Sequence, residues 1–203
     1  FVLAVALWAL MVGESHRDAA TALRDAPLLA LSAQSTTGFS PIPIVELGPG
    51  AKLLLMLAMM TGGSLGSTAG GLKLLRVLVA LRVLHWMVLR TRLPKDAVAT
   101  LHVGGQQIGE HEIARVLALF VAFAALIAVS WLPFLLLGYA PLDSLFEVVS
   151  AVGTVGLSAG IARPELETGL KLVLCADMLL GRLEILAFLV ALSPRTWIGR
   201  RID

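Results

Sequence analysis

Along the chain, long apolar runs alternate with short polar or glycine-rich breaks. Phe1 to Val12 is the first run. Its 12 residues fall short of the ~20 that a spanning helix needs, so it reads as the outer end of a helix that begins upstream. Gly13 to Asp25, GESHRDAATALRD, is mixed polar and predicts a loop at one membrane face. Ala26 to Ala33 is a short apolar piece opened by Pro27, a residue tolerated in a first helical turn. At about 1.5 Å per residue it reaches only part-way through a bilayer. Pro41, Pro43 and the Gly48-Pro49-Gly50 cluster delay the next helix. Lys52 to Met60 is apolar and helical, Thr61 to Gly71 interrupts it, and Leu72 to Leu89 resumes it with Arg76 and Arg82. Arg90 to Glu112 is the one long polar stretch, and Thr100 to Ile108 within it predicts a hairpin turning at Gly104-Gly105. Ile113 to Leu137 predicts a full span, Gly138 to Pro141 a turn, and Leu142 to Val152 a second half-helix. Lys171 to Leu192 predicts the last span, ahead of a basic tail from Ser193 to Asp203.

Each half-helix runs into the same kind of loop. Ser32 to Pro41 reads SAQSTTGFSP and Ser150 to Ala159 reads SAVGTVGLSA; aligned without gaps, they share Ser, Ala, Thr, Gly and Ser. Small side chains leave backbone carbonyls as the dominant polar groups, and the central glycine opens conformations closed to other residues. Irregular backbone survives in a membrane only where protein or a watery cavity satisfies it. A repeated T-x-G loop in this setting resembles a wall of carbonyls around an ion. The half-helix before it adds the negative end of its dipole, which favours a cation. The repeat continues beyond the loops. Lys52-Leu53-Leu54-Leu55 and Met59 to Gly62 align with Lys171-Leu172-Val173-Leu174 and Met178 to Gly181, at an offset close to 118 residues. Two similar units in parallel orientation suit a pore whose axis lies along the membrane normal.

The expected fold is an all-α membrane protein of two membrane-helix, pore-loop, membrane-helix repeats. Residues 1–90 hold the first repeat, with a truncated first helix and a broken second one. Residues 91–112 are a cytoplasmic linker, 113–192 the second repeat and 193–203 a cytoplasmic tail. Composition agrees with a membrane setting: 58% of residues are hydrophobic, 15% are charged and mean hydropathy is +0.88, whereas soluble domains average about 25% charged. The basic residues bunch at Arg90, Arg92, Lys95 and Arg115 and at Arg195, Arg200 and Arg201, which places both segments in the cytoplasm. Both T-x-G loops are then entered from outside.

Several chemistries are set aside. A net charge of +2 gives no footprint for nucleic acid. The single cysteine, Cys175, allows no disulfide framework or zinc site within one chain. His16, His85, His102 and His111 show no metal spacing. Ser15, His16 and Asp18 stand too close together in a polar loop to form a triad, and no catalytic pair appears elsewhere, so an enzyme is not expected. The glycine run lacks the G-x-x-x-x-G-K-[ST] order of a phosphate loop, because Lys73 follows Gly71-Leu72 and precedes Leu74.

STTGFS, GGSLGSTAGGLK, FEVVSAVGTVGLS and MLLGRLEI, in that order, resemble the Trk/Ktr/HKT superfamily of potassium uptake proteins. The likeness is nearest to the C-terminal half of the membrane subunit of bacterial Trk systems and covers essentially the whole chain. The resemblance implies potassium uptake across a bacterial inner membrane by a multi-pass protein with four units around one pore. This chain would hold the third and fourth, and two further repeats would precede it. Potassium is then the transported ion, with no organic cofactor. Its filter would comprise Ser35, Thr36, Thr37 and Gly38 with Gly153, Thr154, Val155 and Gly156, and the carbonyls of Thr36, Thr37, Thr154 and Val155 would coordinate the ion. Thr154-Val155 departs from Thr36-Thr37, which backbone coordination tolerates. In that family the glycine run is an intramembrane gate. Gly62, Gly63, Ser64, Gly66, Ser67, Thr68, Gly70 and Gly71 form it here, and Arg182 of the G-R-L motif lies near it. A packing kink is the alternative for the run. Arg182 lies 11 residues beyond Lys171, about 16 Å into the membrane, where a charge is costly. Asp177 and Glu184 are not at pairing distance along the helix, which leaves a latch on the glycine run or an ion pair with another segment. The resemblance also implies membrane lipid as surroundings, a homodimer and a cytosolic nucleotide-binding regulatory subunit, for which the Gly104-Gly105 hairpin is a candidate docking surface. A sodium-permeable or ion-coupled symporter on the same scaffold and a non-conducting structural fragment are the rival readings.

Overall fold

The computed structural model describes residues 1–15, 17–63, 70–90, 102–103, 106–107 and 110–182. Among these are seven α-helices: α1 (Val2–Gly13), α2 (Ala19–Ser35), α3 (Pro49–Met60), α4 (Leu74–Arg90), α5 (Glu110–Leu136), α6 (Pro141–Val152) and α7 (Thr168–Arg182). Four two-residue strands accompany them. β1 (Thr61–Gly62) pairs in parallel with β2 (Leu72–Lys73), and β3 (His102–Val103) pairs antiparallel with β4 (Gln106–Gln107). The second pair is the expected hairpin; its Gly104-Gly105 turn lies outside the described residues, as do Ser64, Gly66, Ser67 and Thr68, residues 183–192 of the last span and the tail.

α2 corrects the sequence reading. Gly13 to Asp25 is not a loop throughout, because the helix begins at Ala19 and Pro27 sits well inside it rather than in its first turn. Ala22, Ala26, Leu29, Ala30 and Ala33 form one buried stripe at helical spacing, and α2 packs closely on α1. Alanine carries little hydropathy, so this stripe does not register as an apolar run. Arg24, exposed, and Asp25, partly buried 4.0 Å from Arg17, belong to the helix rather than to a turn. Trp8 ties the entry by donating its Nε1–H to the Ala19 carbonyl, 3.1 Å away.

Gly48-Pro49-Gly50 opens α3 instead of delaying it, with Pro49 in the first turn. The orphan amides there are capped from α1's end. Gly48 N–H donates to Ser15 Oγ at 3.0 Å and Gly50 N–H to Glu14 Oε2 at 2.9 Å. α5 is the one helix among the described residues that is long and apolar enough to cross a membrane, over Ile113–Leu136. It ends at Gly138, in the left-handed region at φ +81°, where Gly138 N–H bonds Leu135 O and Tyr139 N–H bonds Phe134 O. α6 follows at once. Its Ser144, Phe146, Val148 and Val152 are among the most buried side chains, and from Phe146 to Val152 the half-helix is enclosed on all sides. α6 packs on α3, α5 and α7, which makes it the centre of the described core.

Candidate functional site

Both half-helices stop in the same way. In α2, Thr36 N–H donates to Ala33 O and Thr37 N–H to Ser32 O; in α6, Thr154 N–H donates to Ala151 O and Val155 N–H to Ser150 O. These are paired three- and five-residue closures, and they require a left-handed residue at the turn. That residue is ordinarily glycine. Here it is Thr36, at φ 55°, and Thr154, at φ 51°, the two non-glycine residues of positive φ among those described. Two residues on, Gly38 (φ +74°) and Gly156 (φ +93°) are left-handed again. The T-x-G loops thus share hydrogen-bond register and handedness as well as sequence.

The two loops also meet. A Cβ on Gly38 would collide with the Val155 carbonyl oxygen, so the first loop lies backbone-to-backbone on the second. Around the first, Ser35 Oγ donates to Leu31 O at 2.6 Å and stands 2.6 Å from Thr37 Oγ1. Around the second, Gly156 N–H donates to Ser150 Oγ at 3.2 Å. Gly153 is buried at the end of α6. A cavity of about 270 Å³ flanks the second loop, bounded by Thr154 to Leu157, Glu147, Leu174 and Met178 among others.

Of the expected gate residues, Gly62, Gly63, Gly70 and Gly71 are described. Gly62 belongs to β1; a Cβ there would strike the Gly70 carbonyl oxygen, and Gly71 is left-handed at φ +74°. The glycine run therefore returns on itself: the parallel pairing of Thr61 with Leu72 and Gly62 with Lys73 closes its base. The β1–β2 pairing was not foreseen, and a glycine-dense run hides it. Arg182 closes the described part of α7 and is exposed. Its neighbour Gly181 is buried, lies against the Val152 carbonyl just ahead of the second loop, and lines a small gap together with Gly71, Arg76 and Phe123.

Three contributors escaped the sequence reading. Glu147, 4% exposed, accepts hydrogen bonds from Ser158 Oγ (2.6 Å), Ile161 N–H (3.0 Å) and Ala162 N–H (3.3 Å), and so holds the chain that leaves the second loop. A carboxylate inside an apolar half-helix was the available signal. Lys52, 6% exposed on α3, pairs with Asp143 in the first turn of α6 at 2.7 Å. Gln34 Nε2 donates to Thr61 O at 2.6 Å. The last two are contacts between segments far apart in sequence, with no local pattern. Asp177, buried in α7, does have a partner: Ser130 of α5 donates to its Oδ1 at 2.6 Å.

The family described as "Cation transport protein", TrkH, matches residues 10–197 of this chain. An uncharacterized cation transporter of Methanocaldococcus jannaschii is 31% identical over 166 residues, covering 82% of this chain and 35% of that protein. The Trk system potassium uptake protein TrkH of Salmonella typhimurium is 29% identical over 185 residues, covering 90% of this chain and 38% of that protein. The crystal structure of the potassium transporter TrkH from Vibrio parahaemolyticus superposes with a TM-score of 0.83 at 26% identity, over 97% of this chain and 42% of that one. The chain thus spans little more than a third of the length of the curated relatives named here. From the match over residues 10–197 and the shared fold, we conclude that the chain belongs to the TrkH family of cation transport proteins, which are membrane transporters and not enzymes.

Proposed function

We propose that this chain forms two of four units around a potassium-conducting pore in a bacterial inner membrane, with Ser35 to Gly38 and Gly153 to Gly156 as its share of the filter. The observation that carries this reading is the matched pair of loops: the same closure of the half-helix, left-handed residues at Thr36/Thr154 and Gly38/Gly156, and direct contact between the two at Gly38 and Val155. A left-handed residue set between ordinary ones turns peptide planes that would otherwise alternate, so that carbonyls of Thr36, Thr37, Thr154 and Val155 can share one side of the loop and replace an ion's water. Each half-helix ends at its loop, which brings the negative pole of the helix dipole to the same place.

Beneath the filter, the run Gly62 to Gly71 acts as the gate and Arg182 as its latch. The gap shared by Gly71 and Gly181 supports their proximity. The guanidinium carries five donors and stays charged, so it can bond exposed loop carbonyls and repel a potassium ion. The remaining two units, a homodimer partner and a cytosolic nucleotide-binding regulator complete the working assembly.

The test is rubidium uptake by the full-length transporter in cells that lack other potassium uptake, with and without sodium. Uptake that proceeds without sodium is expected. Uptake that requires sodium would replace the pore by an ion-coupled symporter.

A further inference from the structure

Gln34 and Gly70 lie outside the T-x-G motifs, yet each joins one of them to the base of the glycine run. Gln34 is in the last turn of α2, next to Ser35, and its Nε2 donates to Thr61 O at 2.6 Å. Thr61 opens β1, one limb of the base. Gly70 stands on the other limb and is buried. A Cβ there would collide with Thr154 Oγ1 and the Gly153 carbonyl oxygen, so its backbone lies directly on the foot of the second loop. The Thr154 hydroxyl is itself buried with no hydrogen-bond partner among the described residues, sealed by that backbone. The two limbs are in turn locked together, because Gly62 packs on the Gly70 carbonyl and the strands pair above it.

The same short base therefore bonds to the helix that carries the first loop and abuts the second loop. We infer that Gln34 and Gly70 are selectivity-positioning residues: the paired base of the glycine run is a strut that holds the two T-x-G loops at a fixed spacing. The strut touches no ion. It acts through the loops, and the inference rests on their being a filter. A run that only opens and closes a path changes how many ions pass. A strut changes which ions pass, because discrimination between potassium and sodium depends on where the carbonyls stand. Coupling of this kind runs both ways, so a shift of the base is felt in the filter.

The experiment is the ratio of potassium to sodium flux into liposomes from purified full-length transporter. Gln34→Leu keeps the side chain's bulk and removes the donor to Thr61; Gly70→Ala pushes a methyl group against Thr154 and Gly153. Gln34→Leu is expected to lower the ratio about fivefold, the scale of one net hydrogen bond, and Gly70→Ala to lower it further. Gly38→Val serves as the reference for the filter itself. If Gly38→Val destroys selectivity while monodisperse Gln34→Leu keeps the parent ratio and changes only total flux, the strut is wrong and the filter stands. If Gly38→Val also keeps the parent ratio, the filter reading fails. Should Gly70→Ala not fold, Gln34→Leu alone decides.

Discussion

Thr36 and Thr154 each hold the position that closes a half-helix, with φ of 55° and 51°. For an L-residue this conformation costs roughly 1–2 kcal/mol, and a β-branched side chain makes it less comfortable still. Strain of that kind persists where surrounding structure imposes it and function uses it. Thr154→Gly should therefore raise the thermal unfolding midpoint of the detergent-solubilised transporter, by the equivalent of about 1 kcal/mol, while weakening cation discrimination. A variant that is less stable would mean that the threonine is not strained there. The left-handed glycines at Gly38 and Gly156 were legible in the sequence, since glycine invites that backbone. The threonines were legible as chemistry but not as conformation, because propensity argues against it. Gln34 and Glu147 were invisible as partners: nothing local says that a side chain will reach Thr61 or Ile161.

The elements show where pattern suffices. α5 and α6 stand within a few residues of their expected bounds, because each is a dense apolar run with proline or glycine at its ends. α2 was read short, since its buried stripe is mostly alanine and its first half carries the charged Arg24 and Asp25. The β1–β2 pair was missed because a ladder of two residues per strand leaves no periodicity. Between elements, the Lys52–Asp143 bridge joins α3 to α6. Its members are not equivalent. The Lys52 side chain is 8% exposed and has Asp143 as its one anionic partner among the described residues, whereas that of Asp143 is 28% exposed and sits in the first turn of α6, where the helix dipole favours it. Asp143→Asn strands a buried ammonium; Lys52→Met leaves a half-wet carboxylate at a helix N-terminus. Asp143→Asn should cost more stability than Lys52→Met, about 3 against about 1 kcal/mol, as read from unfolding midpoints. The reverse order would show that the helix terminus does not support Asp143.

At the scale of the whole molecule, the chain covers 42% of the Vibrio parahaemolyticus structure, and the proposed pore is one part of a larger ring. The proposed orientation rests on the basic residues between Arg90 and Arg115. A cysteine introduced at Gln106 should react with a membrane-impermeant reagent in inside-out vesicles and not in intact cells; labelling of intact cells would turn the topology over. In the proposed pore, with the loops facing outward, the glycine run and Arg182 would lie on the path to the cytoplasm. Arg182→Ala, or removal of Ser64 to Ser67, should then raise flux and make it less dependent on any regulator. Folded Arg182→Ala that conducts no faster than the parent would leave the arginine a structural charge. Beneath all of this lies one claim, that the paired T-x-G loops select the ion through their backbone. Gly156 gives the cleanest access to it. A Cβ there meets nothing within 4 Å among the described residues, so within this chain Gly156→Val strains the backbone at φ +93° without displacing a neighbour at Cβ. The decisive measurement is the potassium-to-sodium flux ratio of full-length Gly156→Val in liposomes: the account predicts a properly inserted protein whose ratio falls to near one, and a ratio equal to the parent's would contradict it.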